Sequence, residues 1–435
     1  MPTKSSTQRD QRYARKMAAG VITMCVLSGG FVGIALRGPT YDAEQIAAGR
    51  VLFTHDFTVD DPLCGDGDGL GPVFNATSCV ACHFQGGVGG AGDNSGNVTT
   101  FEVDPDRERR EVVTHVVHQS ATRKEFKEST RTVRRLFRPI PGGVRVIGGC
   151  SIRLQDHNPV HFDVVHSPAL FGVGLIDEIP DSAISLHSVK RLGRRTADNF
   201  RGKFDHNSTG FARSPQGQRL GRFGWKGQFA SLSDFVAAAC AMELGLSNRQ
   251  HRQPIPREHN PDPLARPDMT DRQLDDLIAF VATLPRPRQV VPDDHAMAKR
   301  VEVGQRLFDQ AKCNDCHVEQ LGDIDGLYSD FMLYSLEDRR MSGGGYGGTV
   351  EVELEFERPG TVPLPEHWQT PPLWGVADSA PYFHDGASPT LSAAIDRHHG
   401  AAGHSRKLYR SMQAFEKEML IDFLRSLRAP RLPSS

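Results

Sequence analysis

The sequence Cys-Val-Ala-Cys-His at residues 79–83 returns as Cys-Asn-Asp-Cys-His at residues 313–317, and this repeated stretch governs how the rest of the chain is interpreted. Each copy follows a Gly-x-x-Leu-Phe segment, which occupies residues 49–53 in the first case and residues 304–308 in the second. The same two segments in the same order, far apart in one chain, indicate an internal duplication.

Other segments repeat in the same order. Ser-Pro-Ala-Leu-Phe-Gly-Val at residues 167–173 is answered by Thr-Pro-Pro-Leu-Trp-Gly-Val at residues 370–376. Each half then closes with apolar residues at helical spacing, from Leu274 to Leu284 and from Leu420 to Leu427. The first of these two helices is predicted to begin with a capping box, in which Thr270 is followed three residues later by a glutamine.

The repeated motif carries a specific chemistry. Cys-x-x-Cys-His is the attachment signature of c-type haem, in which both thiols add to the porphyrin and the histidine becomes the proximal iron ligand. A cysteine pair can also form a redox disulfide or half of a zinc site, so one copy alone would leave those alternatives open. Two copies favour two covalently bound haem c groups, with these predicted attachment and iron-binding residues: Cys79, Cys82 and His83, and Cys313, Cys316 and His317.

The duplication predicts the fold class. We expect a mainly α protein of two tandem cytochrome-c-like haem domains, at residues 40–285 and 296–435, behind one N-terminal transmembrane helix. Residues 100–165 contain short β-branched runs and a Gly-rich turn, which predict a β-rich insert in the first domain. Residues 286–295 are predicted to link the two domains.

Residues 1–37 are predicted to be a cytoplasmic tail and a membrane anchor or signal segment. The stretch from Met17 to Leu36 has no charged residue and follows a basic tail, and it is long enough to cross about 30 Å of hydrocarbon as a helix. The basic flank should remain cytoplasmic. The rest of the chain is therefore expected on the periplasmic side of a bacterial inner membrane, anchored if the segment is retained and soluble if it is cleaved.

Composition excludes several classes of protein. Lys plus Arg number 51 and Asp plus Glu number 53, so the net charge of −2 lacks the basic excess of a nucleic-acid-binding protein. The share of hydrophobic residues, 38%, is that of a globular chain rather than a disordered one or a polytopic membrane protein. Cys64, Cys150 and Cys240 lie outside the haem motifs, and three such residues cannot all pair with one another.

Several segments around the two motifs resemble one family. Gly-Leu-Gly-Pro at residues 69–72, Phe-Asn-Ala-Thr-Ser at 74–78 and the Gly-rich run at 86–92 are similar to the di-haem oxidoreductase family, as are residues 221–226 and 370–375. This resemblance extends from about Gly49 to Pro430. It implies redox chemistry at two haems, with peroxide as the expected oxidant. One departure is Gln369, where the family leads us to expect Arg, a change that would alter the second haem's potential if that Arg touches a propionate.

Tyr-Phe-His-Asp-Gly at residues 382–386, followed by Thr390 and Leu391, resembles the second-haem domain of the related bacterial di-haem cytochrome c peroxidases. That resemblance implies a distal ligand a few residues later in a helix, which indicates His398. A helix that begins near Ser392 would carry this residue on its apolar face. The alternatives are Met412 as the ligand, or a solvent-exposed pair of His398 with the neighbouring His399.

The first half differs at the corresponding place. His398 follows Leu391 by seven residues, whereas the residue seven positions after Leu232 is Ala239. The same resemblance implies that Glu243 is the distal acid–base group of an open haem. His187 is an alternative ligand that would leave both irons six-coordinate, and further open candidates follow: His115, His118 and His166.

Two weaker expectations concern the surroundings of the haems. The three tryptophans of the chain are candidates for an electron path between the haems: Trp225, Trp368 and Trp374. Asp66 and Asp68, in a Gly-rich loop, are candidate calcium ligands because related peroxidases carry calcium between their domains.

Together these features predict an exported di-haem c-type oxidoreductase. It is expected to reduce peroxide at the first haem with electrons relayed through the second, and to receive them from a small cytochrome or cupredoxin. Two alternatives remain open at this point. One is a membrane-tethered electron-transfer cytochrome without its own substrate, and the other is an oxidase of a partner protein's side chain.

Overall fold

The computed structural model describes these residues: 40–103, 113–127, 130–136, 138, 142–147, 150–153, 158–187, 209–213, 219–255, 266–336, 351–354 and 367–431. Tyr41–Ser435 groups as one compact unit. The predicted tail and membrane segment, residues 1–37, lies outside the described residues. Among the helices within the described ranges, none is long and apolar enough to cross a membrane.

Helices supply most of the described secondary structure, as predicted. In chain order they are α1 (Ala43–Thr54), α2 (Thr130–Leu136), α3 (Val173–Glu178), α4 (Leu232–Glu243), α5 (Asp271–Ala282), α6 (His295–Gln310), α7 (Leu391–Asp396), α8 (Gly403–Ser411) and α9 (Ala414–Ser426).

The duplicated helices pack in duplicated pairs. Helix α1 packs against α5 in the first half, and α6 packs against α9 in the second. The Phe of each Gly-x-x-Leu-Phe segment contacts the closing helix: the ring centroids of Phe53 and Phe280 are 5.2 Å apart, and those of Phe308 and Phe423 are 5.4 Å apart. Each half therefore holds the helix that leads into its Cys-x-x-Cys-His motif against its last helix.

Glycine is required where these helices cross. A Cβ atom on Gly49 would lie 1.9 Å from the carbonyl oxygen of Asp276, and one on Gly304 would lie 1.9 Å from that of Met419. Any side chain would push the helices apart, because atoms at that separation overlap. The glycine that opens each repeated segment thus permits the close approach of two backbones.

The closing helix of the first half begins as its sequence predicts. The Thr270 hydroxyl accepts a hydrogen bond from the backbone N–H of Gln273 at 3.2 Å, and the Gln273 side chain accepts one from the backbone N–H of Thr270 at 2.8 Å. This reciprocal capping box is confirmed. The helix ends at Ala282, shortly before Pro285.

The strands are short and form small sheets. They are β1 (Val73–Phe74), β2 (Val98–Val103), β3 (Val113–Val117), β4 (Ser120–Ala121), β5 (Val144–Ile147), β6 (Cys150–Arg153), β7 (Val160–Val165), β8 (Thr209–Arg213), β9 (Arg288–Gln289), β10 (Leu333–Ser335), β11 (Glu351–Leu354), β12 (His367–Gln369) and β13 (Leu427–Arg428).

The predicted β-rich insert contains an antiparallel sheet with the order β3-β2-β7. Thr99 lies opposite both Val117 and Val164, which fixes the register of the three strands. Phe101 and Val103 of β2 pack into a small core of their own on this sheet. The prediction of strands in this segment is confirmed.

Strands and side chains from the second half reach into the first. A four-stranded sheet has the order β11-β8-β10-β12, so β8 of the first half lies between two strands of the second. The core that surrounds the first motif also contains Leu327, Phe331 and Trp374. Within the predicted linker, β9 pairs with β13 at the end of the chain. The two halves therefore share a long boundary, and the cavity described next lies along it.

Candidate haem sites

One large cavity, of about 410 Å³, is lined by both repeated motifs. Its wall includes all of the predicted haem-attachment and proximal residues, which are Cys79, Cys82, His83, Cys313, Cys316 and His317. Most other wall residues are apolar, among them Val98, Phe223, Leu277 and Leu373. Such a lining suits a large flat apolar group that needs a few polar contacts.

His83 is held in one tautomer by the backbone. Its Nδ1 lies 3.2 Å from the carbonyl oxygen of Gly90, and because a carbonyl only accepts, Nδ1 carries the proton and donates. The Nε2 lone pair is then available to a metal, as in most metal-bound histidines. Burial lowers the pKa of the His83 imidazole to about 4, which keeps the ring neutral.

His317 repeats this arrangement in the second half. Its Nδ1 donates to the carbonyl oxygen of Tyr328 at 3.0 Å, and burial again lowers the pKa of the imidazole to about 4. Both proximal candidates therefore present a neutral ring with Nε2 available, which is the state that binds iron.

His398 faces His317 across the cavity. Its Nδ1 donates to the carbonyl oxygen of Ala394 at 2.8 Å, which leaves Nε2 as the acceptor. The two ring centroids lie 6.4 Å apart. With metal–imidazole bonds of about 2 Å, two imidazoles that share one metal have ring centres about 6 to 6.5 Å apart. The spacing of His317 and His398 thus fits a single iron between them.

The helix expected to carry His398 is shorter than predicted. Helix α7 ends at Asp396, so His398 lies two residues beyond it, and its N–H still bonds to the carbonyl oxygen of Ile395 at 3.1 Å. The intervening Arg397 turns away to form two hydrogen bonds with the Asp385 carboxylate, at 2.7 and 2.8 Å. His398 nevertheless lines the cavity.

The other candidates in this region lie elsewhere. His399 is exposed, and its ring nitrogens lie beside the guanidinium of Arg406. Met412 follows helix α8 and packs against the second core, and it does not line the cavity.

The first half presents a different wall opposite its motif. Helix α4 turns Phe235, Ala239 and Glu243 toward the cavity, at the four-residue spacing of one helix face. Glu243 is the last residue of that helix, and its Oε2 accepts a hydrogen bond of 2.7 Å from the Asn75 side chain. The second half presents the imidazole of His398 to the cavity. The first half presents the methyl group of Ala239 and, one helical turn later, the carboxylate of Glu243.

The alternative ligands of the first half take other positions. His187 lies in a helical segment at residues 181–187, with Nε2 4.0 Å from a carboxylate oxygen of Asp330, and it does not line the cavity. His118 is buried and donates from Nε2 to the carbonyl oxygen of Met242 at 2.9 Å, while His115 is exposed.

His166 does line the cavity, and its ring orientation follows from its neighbours. Its Nδ1 lies 2.8 Å from Oδ1 of Asn97, whose amide nitrogen donates to the carbonyl oxygen of Asp385. Because the Asn97 oxygen accepts, Nδ1 of His166 donates, and its Nε2 is a buried atom with no protein hydrogen-bond partner. A buried polar atom of this kind calls for a partner that the cavity would hold. The sequence offered His166 only as one open candidate among several.

Aromatic side chains fill the space between the two sites. Trp368 and His384 stack with centroids 3.7 Å apart and planes at 21°. The Lys226 ammonium lies 5.0 Å from the Trp368 ring centroid and 3.6 Å from the Glu102 carboxylate, and all three side chains are buried. The sequence named all three tryptophans as candidates for an electron path. Trp225 and Trp368 contact His384, which the sequence did not indicate.

Gln369, the departure from the expected arginine, is buried in the cavity wall. Its side-chain nitrogen donates to the carbonyl oxygens of Gly221 at 3.0 Å and Phe331 at 2.9 Å. Gly221 belongs to the first half and Phe331 to the second, so the Gln369 side chain forms hydrogen bonds with both halves.

The expected calcium ligands have other neighbours. Asp66 lies 3.1 Å from the Arg266 guanidinium, and Asp68 accepts hydrogen bonds from Gln253. In the part of the chain that the structure covers, no group of three or more His, Cys, Asp or Glu side chains is arranged to hold a metal ion. Cys64 and Cys240 are both buried free thiols, and the side chain of Cys150 lies outside the described set.

The residues of both sites fit an iron porphyrin. Each motif brings two thiols and a neutral imidazole with its Nε2 available to the wall of an apolar cavity. The separation of the His398 and His317 rings suits two imidazoles that share one metal. His166 adds a buried nitrogen that still lacks a partner. These donors suit iron bound in a porphyrin, because such an iron takes only one or two ligands from the protein.

Comparison with known proteins identifies the class of the chain. Residues 256–427 match the family described as "Di-haem oxidoreductase, putative peroxidase". The resemblance drawn from the motifs is thereby confirmed for this segment, which is similar to the di-haem oxidoreductase family. The matched segment contains the second motif and His398, whereas the first motif lies outside it.

Two further comparisons add little. A structure of hydrazine synthase from Kuenenia stuttgartiensis, pressurised with 20 bar of xenon, matches 92% of this chain and 99% of its own, with 13% identity and a TM-score of 0.39. Similarity at that level carries no argument about function. A search of curated proteins gave no match.

Proposed function

We propose that this protein is an exported di-haem c-type oxidoreductase that reduces peroxide at the first site, with electrons relayed through the second. The observation that carries the proposal is the difference between the two duplicated walls. His398 faces His317 at the second site, whereas at the first site helix α4 presents Ala239 and Glu243 to the cavity. The first site would therefore keep an open position for a small oxidant, whereas His317 and His398 would both bind the metal of the second.

The cofactor would be held at both sites in the same way. Cys79 and Cys82 would attach the first haem, and Cys313 and Cys316 the second, through thioether bonds. His83 would bind the iron of the first haem, and His317 and His398 would both bind the iron of the second. When bound, the haem irons supply the electrons that peroxide reduction consumes.

Glu243 would accept a proton from peroxide and return it. Reduction of hydrogen peroxide to two waters needs two protons as well as two electrons. A carboxylate beside the open position can accept the proton of the oxygen that binds and return it to the oxygen that leaves. Glu243 suits this role because it lines the cavity one helical turn from Ala239, and because the Asn75 amide holds one of its oxygens.

The arrangement between the sites supports a relay of electrons. Phe383 contacts the ring of His398 with centroids 5.5 Å apart, and the adjacent His384 contacts Trp225 with centroids 6.2 Å apart. Trp225 and His384 both line the shared cavity. Contacting aromatic rings therefore extend from His398 of the second site to His384, which in turn contacts Trp225.

The donor and the location follow from the sequence. The proposed electron donor is a small cytochrome or cupredoxin, because a periplasmic haem protein needs a diffusible one-electron partner on that side of the membrane. The proposed location, on the periplasmic side of the inner membrane, rests on the basic tail and the uncharged stretch from Met17 to Leu36.

Peroxide turnover by the Glu243→Gln variant tests the proposal. We expect a fall of about 10²-fold or more, since this is the usual contribution of a general acid–base group. Glu178→Gln is the matched control, because Glu178 also ends a helix of the first half but is exposed and does not line the cavity. Both variants should be assayed in the oxidised and half-reduced states.

Two results would contradict the proposal. Unchanged peroxide turnover in Glu243→Gln would remove Glu243 from the chemistry. Two low-spin haems in both redox states of the wild-type protein would identify an electron carrier instead, because a site for peroxide requires an open iron position.

A further inference from the structure

We infer that Asn75 is a positioning residue for Glu243, so that the loop leading into the first haem motif also orients the acid–base group of the first site. The inference rests on the proposed function, because it deepens the role of Glu243 there. The Asn75 amide nitrogen lies 2.7 Å from Oε2 of Glu243, and the two residues are 168 positions apart in the chain. Neither residue is fully exposed.

The orientation of the Asn75 amide is fixed by a second contact. Its Oδ1 accepts a hydrogen bond of 2.9 Å from the backbone N–H of Gln119. Because the oxygen is bound to that donor, the nitrogen must be the atom that faces Glu243. A hydrogen bond from an amide to a carboxylate is strongest when the carboxylate is ionised. Asn75 therefore fixes the direction in which the Glu243 carboxylate points.

The backbone of the same loop holds the end of the helix that carries Glu243. The carbonyl oxygen of Glu243 accepts hydrogen bonds from the N–H groups of Asn75 at 2.7 Å and Ala76 at 3.3 Å, and the carbonyl of Met242 accepts one from His118 at 2.9 Å. The last carbonyls of a helix have no partners inside it and need them from elsewhere. Helix α4 thus ends against residues that lie a few positions before Cys79.

This geometry makes the first motif and the acid–base group one unit. Attachment of the haem at Cys79 would place the loop, the loop would place Asn75, and Asn75 would aim the Glu243 carboxylate over the site. A displacement of a carboxylate by about 1 Å can cost two orders of magnitude in rate, because proton transfer depends steeply on geometry. We therefore expect loss of the Asn75 donor to impair proton uptake even though Glu243 is still present.

Cyanide binding gives a readout that is independent of turnover. Hydrogen cyanide binds ferric haem as the anion, and a base beside the iron must accept its proton. The rate constant for cyanide association, followed by the change in the Soret band, therefore reports on Glu243. We expect Asn75→Asp and Asn75→Ala each to lower it by about tenfold, and Glu243→Gln to lower it by at least as much. Asn75→Asp keeps the size of the side chain and the oxygen that Gln119 contacts, but it replaces the donor with a second carboxylate oxygen and adds a negative charge. Asn75→Ala removes the donor without adding charge.

Two controls separate positioning from other effects. Asn94→Asp adds the same negative charge on the exposed surface of the first half without touching Glu243, and should bind cyanide at the wild-type rate. The thermal midpoints of both Asn75 variants should remain within a few degrees of the wild type, which excludes unfolding as the cause.

A double variant decides the inference. If Asn75 acts through Glu243, Asn75→Ala combined with Glu243→Gln should bind cyanide no more slowly than Glu243→Gln alone. The inference is overturned if Asn75→Ala binds cyanide at the wild-type rate, if the two effects multiply in the double variant, or if Glu243→Gln itself has no effect on cyanide binding. If Glu243→Gln slows cyanide binding but leaves peroxide turnover unchanged, the peroxide proposal fails while the role of Asn75 stands.

Discussion

Trp225 and His384 occupy equivalent positions in the two halves, and their rings meet edge to face with centroids 6.2 Å apart. Trp225 lies two residues after Phe223, which pairs with Phe229, and His384 lies two residues after Tyr382, which pairs with Ser388. The two turns therefore have the same length. The backbone contacts cross in the same symmetric way. The carbonyl oxygen of Trp225 accepts from the N–H of Gln369 at 2.9 Å, and that of His384 accepts from the N–H of His166 at 2.7 Å.

These contacts predict that His384 stabilises the boundary between the halves. His384→Ala removes the stack on Trp368, at 3.7 Å, and the edge contact with Trp225. We expect the free energy of unfolding to fall by about 2 to 4 kcal/mol, the cost of truncating a buried ring that makes aromatic contacts. Urea denaturation measures this loss. The control His404→Ala removes an exposed ring and should change the midpoint little, and equal midpoints for the two variants would refute the prediction.

The second site predicts a difference between two adjacent histidines. His398→Ala should convert one of the two haems from low spin to high spin, because it removes one of the two imidazoles at the second iron. His399→Ala should leave the spectrum unchanged, since that ring is exposed beside Arg406. Absorption and electron-spin spectra of the two variants make the comparison. A spectrum altered by His399→Ala and unaffected by His398→Ala would reverse the assignment.

Much of the fold follows from features that are local in sequence. The capping box at Thr270, the paired helices and the strands of the insert all arise from periodicity and capping, which short windows of sequence contain. The family resemblance indicated His398 and Glu243, and both residues line the cavity.

Contacts between distant segments could not be read in the same way. Nothing in the residues around Asn75 or Glu243 shows that they meet, because the bond between them depends on how two loops and a helix end pack. Phe383 is a second example. Its φ is 77°, close to the φ of 81° at its counterpart Gly224. A positive φ is uncommon for residues other than glycine, so the phenylalanine in the sequence does not predict it. The surrounding tertiary structure determines both features.

Replacing a glycine at a helix crossing by alanine should have two opposing effects, a gain in helix propensity and a loss from overpacking. Alanine is favoured over glycine in a helix by about 1 kcal/mol. At Gly304, however, a Cβ would lie 1.9 Å from the Met419 carbonyl oxygen and 2.9 Å from the Phe423 Cβ, and such overpacking costs about 1 to 3 kcal/mol or more. We expect Gly304→Ala to lower the free energy of unfolding by about 2 kcal/mol in urea titrations.

Gly403 provides the matched control for that substitution. It lies in helix α8, and no heavy atom lies within 4 Å of a Cβ placed there. Gly403→Ala should therefore be neutral or stabilising by up to about 1 kcal/mol. If both alanine variants shift the urea midpoint in the same direction, close backbone packing is not the reason for the glycine at position 304.

Asp163, on strand β7 near the boundary of the halves, predicts a dependence of stability on pH. Burial raises the pKa of its carboxyl from 3.8 to about 7, with Asp385 acting in the same direction and Lys226 and Arg397 against it. Because the folded protein then holds this proton more tightly than the unfolded chain, the stability that the group contributes is complete below about pH 4. That contribution is lost as the pH rises through 7.

Asp163→Asn should remove this part of the pH dependence. The free energy of unfolding of the wild type, measured by urea titration at intervals from pH 5 to pH 8, should decrease relative to that of Asp163→Asn as the pH rises. Asp293→Asn is the control, since Asp293 is an exposed aspartate in the link between the halves, and its difference from the wild type should stay constant across the same range. Parallel curves for the wild type and Asp163→Asn would show that Asp163 ionises in the folded protein as it does in the unfolded chain. That result would contradict a raised pKa of the Asp163 carboxyl in the folded protein.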